Sequence, residues 1–166
     1  MKKAQLWTTD FILGTTLFII IVLTAVQIIH SIEIDREFEE TKIEARHIGD
    51  VFLTQGNPAN WNESTVVIPG LITNGGLDES KLSSFSNINY NQQQRLLLLQ
   101  SDFLFFFRSE EEIINISQCS YGYEVEHDED CSFNIEEEAE YENLVVFSRY
   151  ILHDAEMIEM MIYVWR

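Results

Sequence analysis

Residues 11–29 read FILGTTLFIIIVLTAVQII, nineteen positions without a charge. As a helix this run covers about 30 Å of hydrocarbon at roughly 1.5 Å per residue. Its polar interruptions, Gly14, Thr15, Thr16, Thr24 and Gln27, are mild, because they can bond back to the helix or face a partner helix. Beyond residue 30 the pattern turns from uniform to periodic. Ile34, Phe38, Thr41, Ala45, Ile48 and Phe52 recur at spacings of 4, 3, 4, 3 and 4, with mostly charged residues between them. That spacing is the mark of an amphipathic helix. Only Gly49 interrupts it before Gly56 and Pro58. The two patterns together predict one helix over residues 5–54, about 75 Å long if unbroken. The apolar stripe predicts that its outer half seats against the rest of its own domain. A plain stalk or a dimeric coiled coil is the competing expectation, since about three heptads do not establish a supercoil.

The remaining residues, 55–166, read as a compact α+β head. GNPANWNEST is turn-rich, and Trp61 within it is expected to plug the junction between helix and head. TVVIPGLIT is β-like but interrupted by Pro69 and Gly70, which suits an edge strand or a kinked strand pair. Asn74, Gly75 and Gly76 make a turn. Asp78 or Ser80 caps one short helix, and Asn89 or Asn91 caps another through QQQRLLLLQ, whose four leucines form a buried helical face. DFLFFFR is a strand buried on both faces, hence central in a sheet. Residues 144–152 and 157–165 are two apolar runs of nine joined by four residues, the signature of a hairpin. The expected architecture is a long N-terminal helix packed on a small antiparallel sheet.

Charge sharpens this division. The chain has 28 acids and 10 bases, a formal charge of -18, which argues against a nucleic-acid partner held through phosphate contacts. Of the acids only Asp10 precedes the end of the apolar run, so residues 31–166 carry 27 acids against 8 bases. Lys2 and Lys3 before the run place the N-terminus in the cytoplasm and the head outside by the positive-inside rule. The run is long and passes into His30, Ser31 and Ile32 without an Ala-x-Ala site, so it is expected to stay as an anchor.

The sequence MKKAQLWTTDFILG, a short basic leader, Gln5 after a small residue, and Asp10 just ahead of the apolar run, followed by one long helix and a β-rich head, resembles archaeal type IV pilin-like proteins with a class III signal peptide. The resemblance implies cleavage between Ala4 and Gln5 by a prepilin peptidase, leaving residues 1–4 as leader. It implies like or related pilin-like subunits as partners. In that family the acid usually stands fifth in the mature chain, whereas Asp10 would be sixth, and Gly is more usual than Ala before the cut. The block from PANWNEST through DFLFFF is similar to a recurring block in uncharacterised archaeal pilin-like membrane proteins. An acid in the apolar helix is expensive in lipid unless it meets a cation. The freed amine of a neighbouring subunit's Gln5 would supply one; the alternative is an Asp10 resting at headgroup level.

Candidate chemistry is sparse. Cys119 and Cys131 lie on the exported side, where oxidation is permitted, and their spacing closes readily as a disulfide. Asn62 and Asn115 begin N-x-S sequons and are candidate glycan acceptors. Between Arg108 and Arg149 there are thirteen acids and no Lys or Arg. Glu126, Asp128 and Asp130, with Asn134, offer hard oxygens that would suit Ca²⁺. The EF-hand pattern fails, since the sixth position from Asp128 is Phe133 and the twelfth is Ala139; a solvated acidic loop is the plainer expectation. His127 lacks the spaced partner a zinc site needs. No catalytic motif is present, and Ser148, His153 and Asp154 lie on or beside one hairpin, which rarely makes a triad. No cofactor and no enzymatic activity are expected. Two functions remain: a structural pilin-like subunit, minor more than major, of a filament or its assembly machinery, and a non-polymerising single-span surface domain that uses its acidic loop to bind cations or a protein.

Overall fold

The computed structural model describes residues 2–110, 112–128, 131–133 and 143–166, with side chains described outside 2–9 and 31–35. A single helix, α1, runs Lys2–Phe52. The chain divides into two compact units, Met1–Glu39 and Glu40–Arg166, and α1 contributes to both.

In the first unit, Asp10–His30 is long and apolar enough to cross a membrane, and none of it is buried. Its threonines do what an apolar solvent requires. The Thr15, Thr16 and Thr24 hydroxyls donate to the carbonyls of Phe11, Ile12 and Ile20 at 2.8, 2.8 and 2.6 Å, so no hydroxyl among them is left without an acceptor.

In the second unit the later members of the predicted stripe become core, whereas Phe38, in the first unit, is exposed. Thr41, Ala45, Ile48 and Phe52 are fully buried, at the 4, 3 and 4 spacing read from the sequence. Gly49 is there for closeness. A Cβ at this position would lie 2.8 Å from Phe147 Cε1 and 3.4 Å from Ile162 Cδ1, so a larger residue would have to displace the Phe147 ring for the helix to lie this near the sheet.

The rest of the head follows as β1 (Ile72–Thr73), β2 (Gly76–Leu77), α2 (Glu79–Ser86), α3 (Tyr90–Leu96), β3 (Asp102–Ser109), β4 (Glu112–Ile114), β5 (Tyr121–Gly122), β6 (Leu144–His153) and β7 (Glu156–Trp165). The main sheet has the order β4-β3-β7-β6, with β5 also paired to β3, and every pairing is antiparallel. Strand β3 is central, as its unbroken apolar run predicted. Phe103, Phe105 and Phe107 join the helix-side core with Met160, Ile162 and Val164 of β7, whereas Leu104 and Phe106 pack on the other face with Val125, Met161 and Trp165. Phe52, Phe85 and Phe105 lock α1, α2 and β3 together, their ring centroids 4.7 to 5.9 Å apart. Trp61 is buried against this core and its indole N–H donates to the Gly70 carbonyl at 2.8 Å, which fills the junction as expected.

Capping follows the sequence closely. Asp78 Oδ1 accepts from the Ser80 and Lys81 amides to start α2, and Asn89 Oδ1 accepts from the Asn91 amide to start α3.

Three local expectations are corrected. The four leucines are not one helical face: α3 ends at Leu96, Leu97 is buried, and Leu98 turns outward with φ +56° and 79% exposure. TVVIPGLIT is interrupted at Pro69 and Gly70 as expected but carries less β structure: an isolated bridge, Asn57 to Ile68, precedes the interruption and the two-residue β1 follows it. Gly70 passes so close to Gly56 that a Cβ on it would come 2.2 Å from the Gly56 nitrogen. The β6–β7 connection is two residues, not four. Asp154 and Ala155 both have positive φ, +49° and +67°, the twist of the favoured two-residue hairpin turn.

Candidate functional site

The residues singled out by sequence fall in separate places. Ala4 and Gln5 lie within α1, with side chains outside the described ones. Asp10 is exposed and opens the apolar run. The following surface is apolar on all sides, with Phe11, Phe18, Leu23 and Ile29 each more than half exposed. By length and composition the stretch is compatible with a membrane anchor or a signal sequence.

Where the head grips the helix, the contact is ionic as well as apolar. The Arg166 guanidinium reaches Glu40 at 3.0 Å, Glu44 at 3.3 Å and the Ser101 hydroxyl at 3.0 Å. Glu44 in turn accepts from the Gln100 and Ser101 amides at 3.2 and 3.0 Å. One carboxylate on α1 therefore satisfies the start of β3 and the end of β7 together, a geometry that a planar guanidinium suits.

The acidic loop is tied by the Cys119–Cys131 disulfide, with Cα atoms 5.2 Å apart. Its residues cover the outer face of the sheet: Phe133 meets Phe106 edge-on at 5.1 Å and Tyr123 meets Trp165 at 5.3 Å. Between this loop and residues 86–93 lies an open groove of about 1110 Å³, walled by Asn89, Tyr90, Gln93, Asn115, Tyr123 and Glu124 among others. Burial, then the Asp102 carboxylate that its hydroxyl bonds at 2.7 Å, pushes the Tyr90 phenol up; burial pushes the Tyr121 phenol up to about 12. Both hydroxyls therefore stay protonated donors across the ordinary pH range.

Glu126 and Asp128 are exposed, and Asp130 and Asn134 lie outside the described residues. Asp128 is engaged locally, accepting from the Ser132 hydroxyl at 3.0 Å. His127 Nε2 lies 2.9 Å from the Ser120 hydroxyl and its ring packs against Phe133. Both sequon asparagines are exposed. Asn62 Oδ1 accepts from the Ser64 amide and hydroxyl at 3.0 and 2.8 Å in a local turn, and Asn115 Nδ2 lies 3.9 Å from Cys119 Sγ.

Ser148, His153 and Asp154 do not assemble. Ser148 and His153 stand five residues apart on β6, about 16 Å along a strand and on opposite faces. His153 instead lies between two carboxylates, with Nε2 3.6 Å from Glu79 Oε1 and 3.7 Å from Asp154 Oδ2. Among the described residues, these three place their ligand atoms within 4.8 Å of one another. Sequence reasoning missed Glu79, since no spacing links the start of α2 to the hairpin tip; β2, lying beside β6, brings them together.

Compared with known proteins, the chain matches no family model, no curated protein and no solved structure.

Proposed function

We propose that this chain is a pilin-like structural subunit, minor more than major, of an archaeal type IV filament or of its assembly machinery, anchored by its N-terminal helix. One observation carries the reading. A single helix, Lys2–Phe52, presents an unburied apolar stretch over Asp10–His30 and ends inside an α+β head, where Thr41, Ala45, Ile48 and Phe52 line the core. A subunit that waits in lipid and then enters a bundle needs this division, because the apolar stretch exchanges lipid for neighbouring helices without ever meeting water. Asp10 is the acid that a neighbour's freed Gln5 amine would pair with, and the pairing would fix the axial position of one helix against the next. The head then forms the outer surface, and its acid excess keeps that surface solvated. No catalytic step enters this role.

The test is fractionation of the native cell surface. Recovery of the chain in sheared filaments, with loss from that fraction on Asp10→Ala, supports the reading. A chain that stays wholly in the membrane while filaments form normally without it would sink it and leave the second reading, a non-polymerising surface domain whose exposed Glu124, Glu126 and Asp128 bind cations or a partner. The cation version of that alternative requires a melting temperature that rises with millimolar calcium.

A further inference from the structure

We infer that Glu79, His153 and Asp154 form a binding site for a Zn²⁺-class divalent cation at the tip of the β6–β7 hairpin. The inference is independent of filament assembly. Three ligands of two types converge from three elements: a carboxylate from the first turn of α2, an imidazole from the last residue of β6, and a carboxylate from the turn that follows.

The spacing fits coordination better than direct pairing. His153 Nε2 lies 3.6 and 3.7 Å from the two carboxylate oxygens, beyond good hydrogen-bond length. Ligand atoms at the corners of a zinc tetrahedron, each about 2.1 Å from the metal, stand about 3.4 Å apart. Two edges of that tetrahedron are therefore already near length. The third closes by rotation of two exposed side chains, Glu79 and Asp154, which are 58% and 88% accessible. His153 is the anchored member, at 16%.

The donor set decides the ion. One imidazole nitrogen with two carboxylate oxygens favours Zn²⁺, Co²⁺ or Mn²⁺, whereas Ca²⁺ takes oxygen ligands alone and in greater number. Three protein ligands leave a fourth position for water, open at the surface. Both cysteines are held in the disulfide, so no thiolate competes for the ion. A bound cation would join the start of α2 to the hairpin tip, two parts of the head that approach where β2 lies beside β6.

Calorimetric titration of the untagged full chain in detergent micelles with Zn²⁺ tests this, beside Glu79→Gln, Asp154→Asn and His153→Gln. The expected result is one Zn²⁺ per chain, affinity at least about tenfold weaker in each variant, a melting temperature raised by Zn²⁺ in the parent only, and no saturable heat with Ca²⁺. Glu79→Gln and Asp154→Asn change exposed groups and keep the fold, so they carry the test should His153→Gln unfold. Absence of saturable binding overturns the site. So does binding that the Glu79 and Asp154 variants leave unchanged, which would place the ion at another histidine, and so does equal affinity for Ca²⁺.

Discussion

Two lengths of the same helix make opposite use of hydrophobic residues. Over Asp10–His30 the apolar side chains face every direction and are unburied. Over residues 41–52 a stripe of Thr41, Ala45, Ile48 and Phe52 is fully buried, while Ile43, off the stripe, is exposed. Helix propensity does not separate the two, since both are α-helix throughout. The difference is in the solvent each pattern requires. A uniform surface suits lipid or a helical bundle, whereas a stripe suits one packed neighbour with water behind it. Even the glycines differ in the same sense: a Cβ on Gly14 would meet nothing within 4 Å, but one on Gly49 would strike Phe147.

The contrast can be broken most forcefully at Phe52. Phe52→Ala removes the ring that joins α2 and β3 to the helix and should cost about 3–5 kcal/mol in denaturant unfolding of the micelle-bound chain. Leu17→Ala, in the exposed stretch, should change head stability by less than about 0.5 kcal/mol. Equal losses would erase the distinction. A smaller effect is expected at Gly49→Leu, where overpacking against Phe147 and Ile162 should cost about 1–3 kcal/mol, while Gly14→Leu leaves the head melting temperature unchanged. Smaller again, and of opposite sign, is Ala155→Gly: alanine at φ +67° is strained, and its replacement should stabilise by up to about 1 kcal/mol.

The least effect is on acid stability. The Arg108 side chain donates to Glu159 at 2.7 Å, and that hydrogen bond holds the Glu159 carboxyl below its ordinary value. The folded value being depressed, the stabilisation is present above the unfolded glutamate pKa and is lost as pH falls through the folded one. Arg108 is 37% accessible, so solvent screening limits the gain to at most about 1 kcal/mol. Glu159→Gln should accordingly flatten the fall in melting temperature below about pH 4 and leave the apolar stretch untouched.

Much of the fold was legible because its strongest elements agree at every level. DFLFFFR is apolar at consecutive positions, and only a central strand buries both faces; Asp78 and Asn89 are residues suited to capping, and both cap their helices. The errors came where backbone crossings override local preference. Nothing in LLLL marks Leu98 as the residue that turns outward, and the close Gly56–Gly70 approach within the TVVIPGLIT region depends on two residues fourteen apart. The candidate sites divide in the same way. Cys119 and Cys131 pair, as their spacing suggested. The Arg166 grip on Glu40 and Glu44, and the meeting of Glu79 with His153, join positions distant in sequence. Such contacts exist only once the sheet is closed, so no periodicity announces them.

The role assigned to the exposed apolar stretch depends on processing ahead of it, and the mass of the native chain measures that directly. Mass spectrometry of the protein from its own membranes should show a mature N-terminus at Gln5, with residues 1–4 absent. A chain that still begins at Met1 would contradict assembly through a freed Gln5 amine, and with it the pilin-like account.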